Sequence, residues 1–321
     1  MTRRVFGCVL ALVVGVAAHS QAQNLTYARG QNVSPAYEGW EEDSAGRKFF
    51  LFGYMNRNWE EEIDVPIGAD NKFTTGAADA GQPTHFLPRR NRFIFRVPVP
   101  VGFTEKDELV WSLTTKGKTE MAYASLRLDY KVDDVVKASE TGALGAGSSS
   151  PEIRSNTPPV VEIQGPRRLE VRVGEAVPLV VAVRDDGIPK ARAVGAGAAV
   201  ENTGSTLARS TTAKPEVIAS LRARRLMQPP GRVTVGKNVG LHVAWYVYRG
   251  PGAVTFDKDQ IATWEDTRTG GNSPWAPHWY APVLPDDGKT TVNATFLAPG
   301  EYVLRARADD GALTTDQQIT V

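Results

Sequence analysis

The sequence predicts an all-β protein made of two β-sandwich domains, and three observations lead there. From residue 36 to 136, and again from 158 to 321, short runs rich in aromatic and β-branched side chains alternate with clusters of Gly, Pro, Asn and Asp. Within the longer runs apolar residues recur at every second position, the period of a strand with one buried face. Between the two regions lies SETGALGAGSSSPEIRSNTPP, dense in Gly, Ser and Pro and without periodic apolar residues, which reads as a flexible linker over 137–157.

Taken in order, the chain opens with the basic stub MTRR, the apolar run VFGCVLALVVGVAAH and the small-residue stretch SQAQ. This is the pattern of an export signal over 1–22, cleaved after Ala22. The apolar run is shorter than the roughly 20 residues a membrane crossing needs. Cys8, the one cysteine in 321 residues, sits at the start of that run and leaves with it. The expected mature protein starts near Gln23 with an N-terminal extension over 23–35. It is free of disulfides in a compartment that permits them, so buried apolar surface must stabilise it. Its expected location is the periplasm, cell surface or exterior of a bacterium, as the wealth of Ala, Gly, Val and Arg suggests. Lys plus Arg number 37 against 36 for Asp plus Glu, so no global field favours nucleic acid.

The first domain, 36–136, contains RKFFLFGYMNRN, EEIDVPI, NRFIFRVPVP and ELVWSLTTKGKTEMAYASLRLDYKV. In the last run Leu109, Trp111 and Leu113 share one face, Met121, Tyr123 and Ser125 share another, and KGK turns a hairpin at Gly117. Asn56, Arg57, Asn58, Trp59, His85, Arg89 and Arg90 fall at strand ends. Two readings stay open: they line a groove, or His85 caps a loop while Arg89 and Arg90 pair with Glu60 to Glu62.

The second domain, 158–321, contains PVVEIQG, LEVRVGEAVPLVVAVRDDG, LHVAWYVYRGPGAVTF, TTVNATFLAPGEYVLRARADDG and LTTDQQITV. With Trp245 central in LHVAWYVYR, and Tyr302 and Leu304 following Gly300, this half resembles the immunoglobulin-like sandwiches of bacterial exported proteins, among them the PKD and cadherin-like groups. The resemblance implies that Trp245 is the core tryptophan of strand C, that Tyr302 is the tyrosine corner at the start of strand F, and that Leu304 stands where antibody domains carry cysteine. It also implies a long insertion, 188–240, between strands B and C. PEVIASLRARRLM within it, residues 215–227, reads as a short helix starting at Pro215. By alternation away from Trp245, His242, Tyr246 and Tyr248 are expected to face solvent.

Two turns share a chemistry: RDDGIP at 184–189 and ADDGAL at 308–313. The implied topology puts both at one pole. Asp185, Asp186, Asp309 and Asp310 there offer hard oxygens to Ca²⁺, the one cofactor the sequence brings to mind. Asp-Asp-Gly is equally a good turn, since Asp accepts from its own backbone two residues on and Gly adopts positive φ. A second candidate is the loop 263–282, whose Trp264, Trp275, Trp279 and Tyr280 could stack on a sugar or pack a small core of their own. Basic residues between 188 and 240 would steer an acidic surface partner or be a solvated face. The expected partner is a surface glycan or a protein. No phosphate-cradling Gly loop, zinc-binding His pair or nucleophile elbow is present, and the expected activity is non-catalytic. The expected function is a binding or structural module, with a carbohydrate-binding module as the alternative and a glycan-active hydrolase third.

Overall fold

The computed structural model describes residues 27–141, 150–191, 240–264 and 281–321. The first sandwich contains β1 (Val33–Glu42), β2 (Lys48–Asn56), β3 (Ile63–Asp64), β4 (Asn71–Phe73), β5 (His85–Phe86), β6 (Arg89–Pro98), β7 (Leu109–Thr115) and β8 (Lys118–Ala124). Sheet β1-β2-β6 packs on sheet β4-β7-β8, and β3 pairs with β5 beside them. Strand β1 begins inside the stretch expected to be an extension. Val33 is fully buried there and its N–H donates to Thr115 Oγ1 at 2.8 Å. Pro35 is tolerated because β1 ends its sheet and an outward N–H is dispensable.

Aromatic rings fill this sandwich. Phe52 stacks on Phe95 with centroids 5.3 Å apart and meets Trp111 edge-on at 6.0 Å. The Trp111 indole N–H donates to Asn71 Oδ1 at 3.0 Å, so the largest side chain in the core is buried with its polar atom satisfied. Leu109, Trp111 and Leu113 point inward as their alternation predicts, while Met121 and Tyr123 are exposed. Lys116 and Gly117 both adopt positive φ, 51° and 74°, the two-residue turn whose twist matches a tight hairpin.

The second sandwich contains β9 (Val160–Gln164), β10 (Ala176–Arg184), β11 (His242–Arg249), β12 (Val254–Phe256), β13 (Lys289–Phe296), β14 (Val303–Asp309) and β15 (Thr314–Thr320). Its sheets run β12-β13-β10-β9 and β11-β14-β15. In strand letters these are D-E-B-A and C-F-G, the arrangement of an immunoglobulin constant-type sandwich. Trp245 is 1% exposed between the sheets, Leu304 is fully buried, and the Tyr302 hydroxyl donates to the Ala298 carbonyl at 2.9 Å. All three markers stand where the resemblance put them. The chain between β10 and β11 includes 192–239, so the helix expected at 215–227 lies outside the described residues.

The segment between the sandwiches carries α1 (Asp134–Thr141) and α2 (Pro151–Ser155). Ser150 caps α2 by accepting from the Ile153 N–H at 3.3 Å, and Pro151 takes the first turn, where its missing N–H costs nothing. Among the described residues no helix is long and apolar enough to cross a membrane.

One expectation is overturned. His242, Tyr246 and Tyr248 are 4%, 6% and 3% exposed. Sheet β11-β14-β15 is covered on both faces: Trp245 and Val247 point into their own sandwich, while Tyr246 and Tyr248 join the aromatic core of the first. Alternation distinguishes two faces of a strand, but it does not say that the second is wet.

Candidate functional site

The two Asp-Asp-Gly turns are built alike. In the first, the Gly187 N–H reaches Asp185 Oδ2 at 2.9 Å and the Ile188 N–H reaches Asp186 Oδ1 at 2.9 Å. In the second, the Gly311 N–H reaches Asp309 Oδ1 at 2.7 Å, while the Ala312 and Leu313 N–H groups reach Asp310 Oδ1 at 2.6 and 2.8 Å. Gly187 and Gly311 have φ of 80° and 101°, which a side chain would oppose. Each carboxylate thus closes its own turn.

The second aspartate of each turn has one oxygen left, and both oxygens go to the same place. Asp186 Oδ2 accepts from the Thr157 backbone N–H at 3.0 Å and its hydroxyl at 2.7 Å, and Asp310 Oδ2 accepts from Asn156 Nδ2 at 3.1 Å. Asn156 and Thr157 are consecutive, immediately after α2. Ala312 and Leu313 of the second turn pack with Ala138 of α1 and Ile153 of α2. The two turns do share a pole, and the pole clasps the chain that enters the second sandwich. Among the described residues no three His, Cys, Asp or Glu side chains are grouped to hold a metal ion.

Asp310 is 1% exposed, and burial pushes its pKa up to about 6 against the opposing pull of three hydrogen bonds. A carboxyl with a raised folded-state pKa stabilises the fold below its unfolded value, near 3.9, and that contribution is lost as pH rises through 6. The difference amounts to about 2–3 kcal/mol. Urea unfolding at pH 4.5 and 7.5 is therefore expected to show this part of the pH dependence in the wild type and to lose it in Asp310→Asn.

A seam joins the sandwiches beyond the clasp. From the second, the Tyr248 hydroxyl donates to the Gly81 carbonyl, Arg249 Nε donates to the Gln82 carbonyl at 2.8 Å, and the Arg249 guanidinium grips both oxygens of Asp79 at 2.7 and 2.9 Å. Arg305 lies 3.4 Å from the Tyr248 ring centroid and donates to the Ile94 carbonyl of β6. Behind it Arg307, 4% exposed, holds Asp316 by two bonds of 2.7 and 2.8 Å, and the Tyr246 hydroxyl adds a third to the same carboxylate at 3.1 Å. Burial pushes the Asp316 carboxyl up, but the Arg307 and Arg305 charges outweigh it and hold it below the usual range. Among the described residues, Tyr246, Tyr248, Arg249, Arg305, Arg307 and Asp316 leave no buried side-chain polar atom without a hydrogen-bond partner, as a buried polar network requires.

Beside the seam, Thr84 donates its N–H to the Tyr248 carbonyl at 3.2 Å, and the next residue is His85. His85 Nδ1 lies 2.7 Å from Asp64 and Nε2 lies 3.0 Å from Glu62. Burial disfavours its charge, yet the bonds to Asp64 and Glu62 win and raise its pKa to about 9. The stabilisation this confers is fully present below pH 6.5 and is lost as pH rises through 9. The shift corresponds to about 3 kcal/mol, which falls to about 1–2 because both carboxylates are half-exposed and solvent screens them. A decline in stability between pH 7 and 9.5 that is shallower in His85→Gln is the expected result. Of the other strand-end residues, Asn56 and Asn58 are fully buried in a network of their own, and Arg89 lies over the Trp59 ring at 3.9 Å. Arg90 pairs with Glu38 at 2.7 Å.

Trp264 is half-buried and packs on the cluster that contains Tyr246 and Tyr248. Trp275, Trp279 and Tyr280 lie outside the described residues. The seam residues Tyr246, Tyr248, Arg305, Arg307 and Asp316 were not among the sequence candidates. Their signal was present: Arg305 and Arg307 sit two apart on a strand whose other face is apolar, and a lone Asp316 lies opposite Arg307 in register.

No protein-family description matches the chain, and no curated protein does. Solved structures overlap it loosely. Domains 4 and 5 of the S-layer protein SbsC share 9% identity over 91% of this chain and 96% of that one, with a TM-score of 0.19. The D00-D0 domain of intimin shares 8% over 90% and 98%, TM-score 0.21. The Yersinia pseudotuberculosis adhesin InvE shares 10% over 90% and 58%, TM-score 0.20. Overlaps this slight carry no argument about function.

Proposed function

We propose that the chain is an exported, non-catalytic module of the bacterial cell surface or periplasm, in which two β-sandwiches are held as one rigid body to present or space a binding surface. The single observation behind this reading is the seam: Tyr248, Arg249 and Arg305 fasten the second sandwich to the first, with the buried Arg307–Asp316 pair behind them, while the paired turns hold the connecting chain. Independent domains in one chain are expected to move relative to one another unless their interface is large and well matched. Here the sheet face that an isolated immunoglobulin-like domain exposes is spent on the partner sandwich. The N-terminal basic stub and apolar run supply the export signal.

Expression with the native N-terminus, followed by fractionation, N-terminal sequencing and calorimetry, tests the reading. The expected product is an exported chain cleaved after Ala22 that melts in a single cooperative transition. An uncleaved cytoplasmic product, or two transitions of separate sandwiches, would remove it.

A further inference from the structure

Beside the seam the sandwiches leave a cleft of about 1020 Å³. Phe93 through Arg96 of β6 line one wall and Thr314 through Gln318 of β15 line another, consecutive residues in each case. A sheet face lines a cavity with every second residue, whereas a backbone edge lines it with all of them. Both strands are the last of their sheets.

The pairing pattern shows which backbone groups β15 leaves open. Tyr302 and Val321 exchange N–H and C=O at 2.8 Å in both directions, and the register from there through Asp309 and Thr314 is unbroken. Hydrogen-bonded and non-hydrogen-bonded pairs alternate along an antiparallel ladder, so Ile319, Gln317 and Thr315 bond to β14 while Thr320, Gln318, Asp316 and Thr314 turn their N–H and C=O outward. Thr320 bears this out: its N–H donates to the Arg167 carbonyl and its C=O accepts from the Leu169 N–H, both at 2.9 Å, in a parallel bridge. The chain before Arg167 belongs to β9, paired with β10 in the other sheet, so among the described residues the rung at Thr320 has no continuation along Gln318, Asp316 and Thr314.

We propose that this open edge, Thr314–Gln318, takes an extended peptide segment of a partner protein, added as a strand beside β15 with an acidic residue next to Arg167. Outward backbone groups at every second residue are matched by another strand and by little else. The edge already accepts a strand at Thr320, so the added segment continues an interface that exists. Charge sets the acidic residue. Arg96 and Lys137 in the cleft pair with Glu41, Arg249 with Asp79 and Arg305 with Asp316, whereas the exposed Arg167 has no carboxylate partner among the described residues. Two copies do not join through this edge symmetrically, because β15 shares its cleft with β6 of the same chain and a single extended segment is the shape that enters it.

The slot rests on the rigid seam proposed above, and the test separates the two. Fluorescein-labelled Glu-Thr-Val-Thr-Val-Thr-Val and its Lys-headed counterpart are titrated into the purified protein by fluorescence polarisation, alongside a Glu-headed peptide N-methylated at alternate amides. The expected result is saturable binding of the Glu peptide, about tenfold weaker binding of the Lys peptide, and none of the methylated one. Gln318→Pro removes an outward N–H and no rung to β14, so it should weaken the Glu peptide at least about tenfold. If that variant melts differently from the wild type, Arg167→Glu takes its place and should reverse the preference between the two peptides. Absence of saturable binding, equal binding by Gln318→Pro of unchanged melting, or no reversal in Arg167→Glu overturns the slot. A single cooperative melt beside that failure leaves the rigid module standing, and two melting transitions take both proposals down.

Discussion

Asp316→Ala is expected to destabilise the protein by about 3–5 kcal/mol, because it leaves Arg307 charged and buried without the carboxylate it is hydrogen-bonded to. Arg307 is 4% exposed, donates two bonds to this carboxylate, and has its pKa raised well beyond the ordinary arginine value by that pairing against the cost of burial. Arg305 also loses its carboxylate neighbour at 3.7 Å. The loss reflects a stranded charge more than the worth of the pair, and a double variant separates the two. Arg307→Met combined with Asp316→Leu should regain most of the stability, since well-packed apolar substitutes for a buried ion pair are often neutral or better. Urea unfolding of the two single variants and the double variant measures this directly. A cost below about 1 kcal/mol in Asp316→Ala would mean that water reaches Arg307 and the seam is not closed.

Tyr248→Ala should cost a similar amount, about 3–5 kcal/mol, and should also change the shape of the unfolding curve. The ring is 3% exposed, belongs to the aromatic core of the first sandwich although it is rooted in β11 of the second, and carries the Arg305 guanidinium on its face. Deleting it opens a cavity between the sandwiches and releases Arg305. Calorimetry is expected to show one transition in the wild type and a broadened or divided one in Tyr248→Ala. Tyr248→Phe keeps the ring and loses only the bond to the Gly81 carbonyl, so it should cost about 1 kcal/mol and keep the single transition. If Tyr248→Ala unfolds as sharply as the wild type, the sandwiches are coupled elsewhere.

The second sandwich was more legible than the first. Trp245, Tyr302 and Leu304 sit at spacings that an immunoglobulin-like core imposes, and one pattern placed two strands, β11 and β14. The first sandwich was legible as a hairpin at Gly117 and as runs of strand, but its β1 was missed at Val33 because Pro35 and Gly39 interrupt the alternation and mimic a loop. The candidate site divided in the same way. That both Asp-Asp-Gly turns lie at one pole followed from chain order and topology. What they hold did not, because Asn156 and Thr157 are far from both turns in sequence, and 154 residues separate Asn156 from Asp310.

By itself, the sequence determined the all-β class, the strand runs, the division into two sandwiches and the local closure of RDDGIP and ADDGAL by their own aspartates. Each depends on periodicity or on bonds a few residues long, which composition and spacing encode. Only the tertiary structure decided that Tyr246 and Tyr248 face a second core instead of water, that Arg307 is buried against Asp316, and that the shared pole clasps the connecting chain. An alternating strand has the same pattern whether its polar face meets solvent or a matched set of charges on another sandwich. Which of the two it meets is settled only when the partner surface is in place.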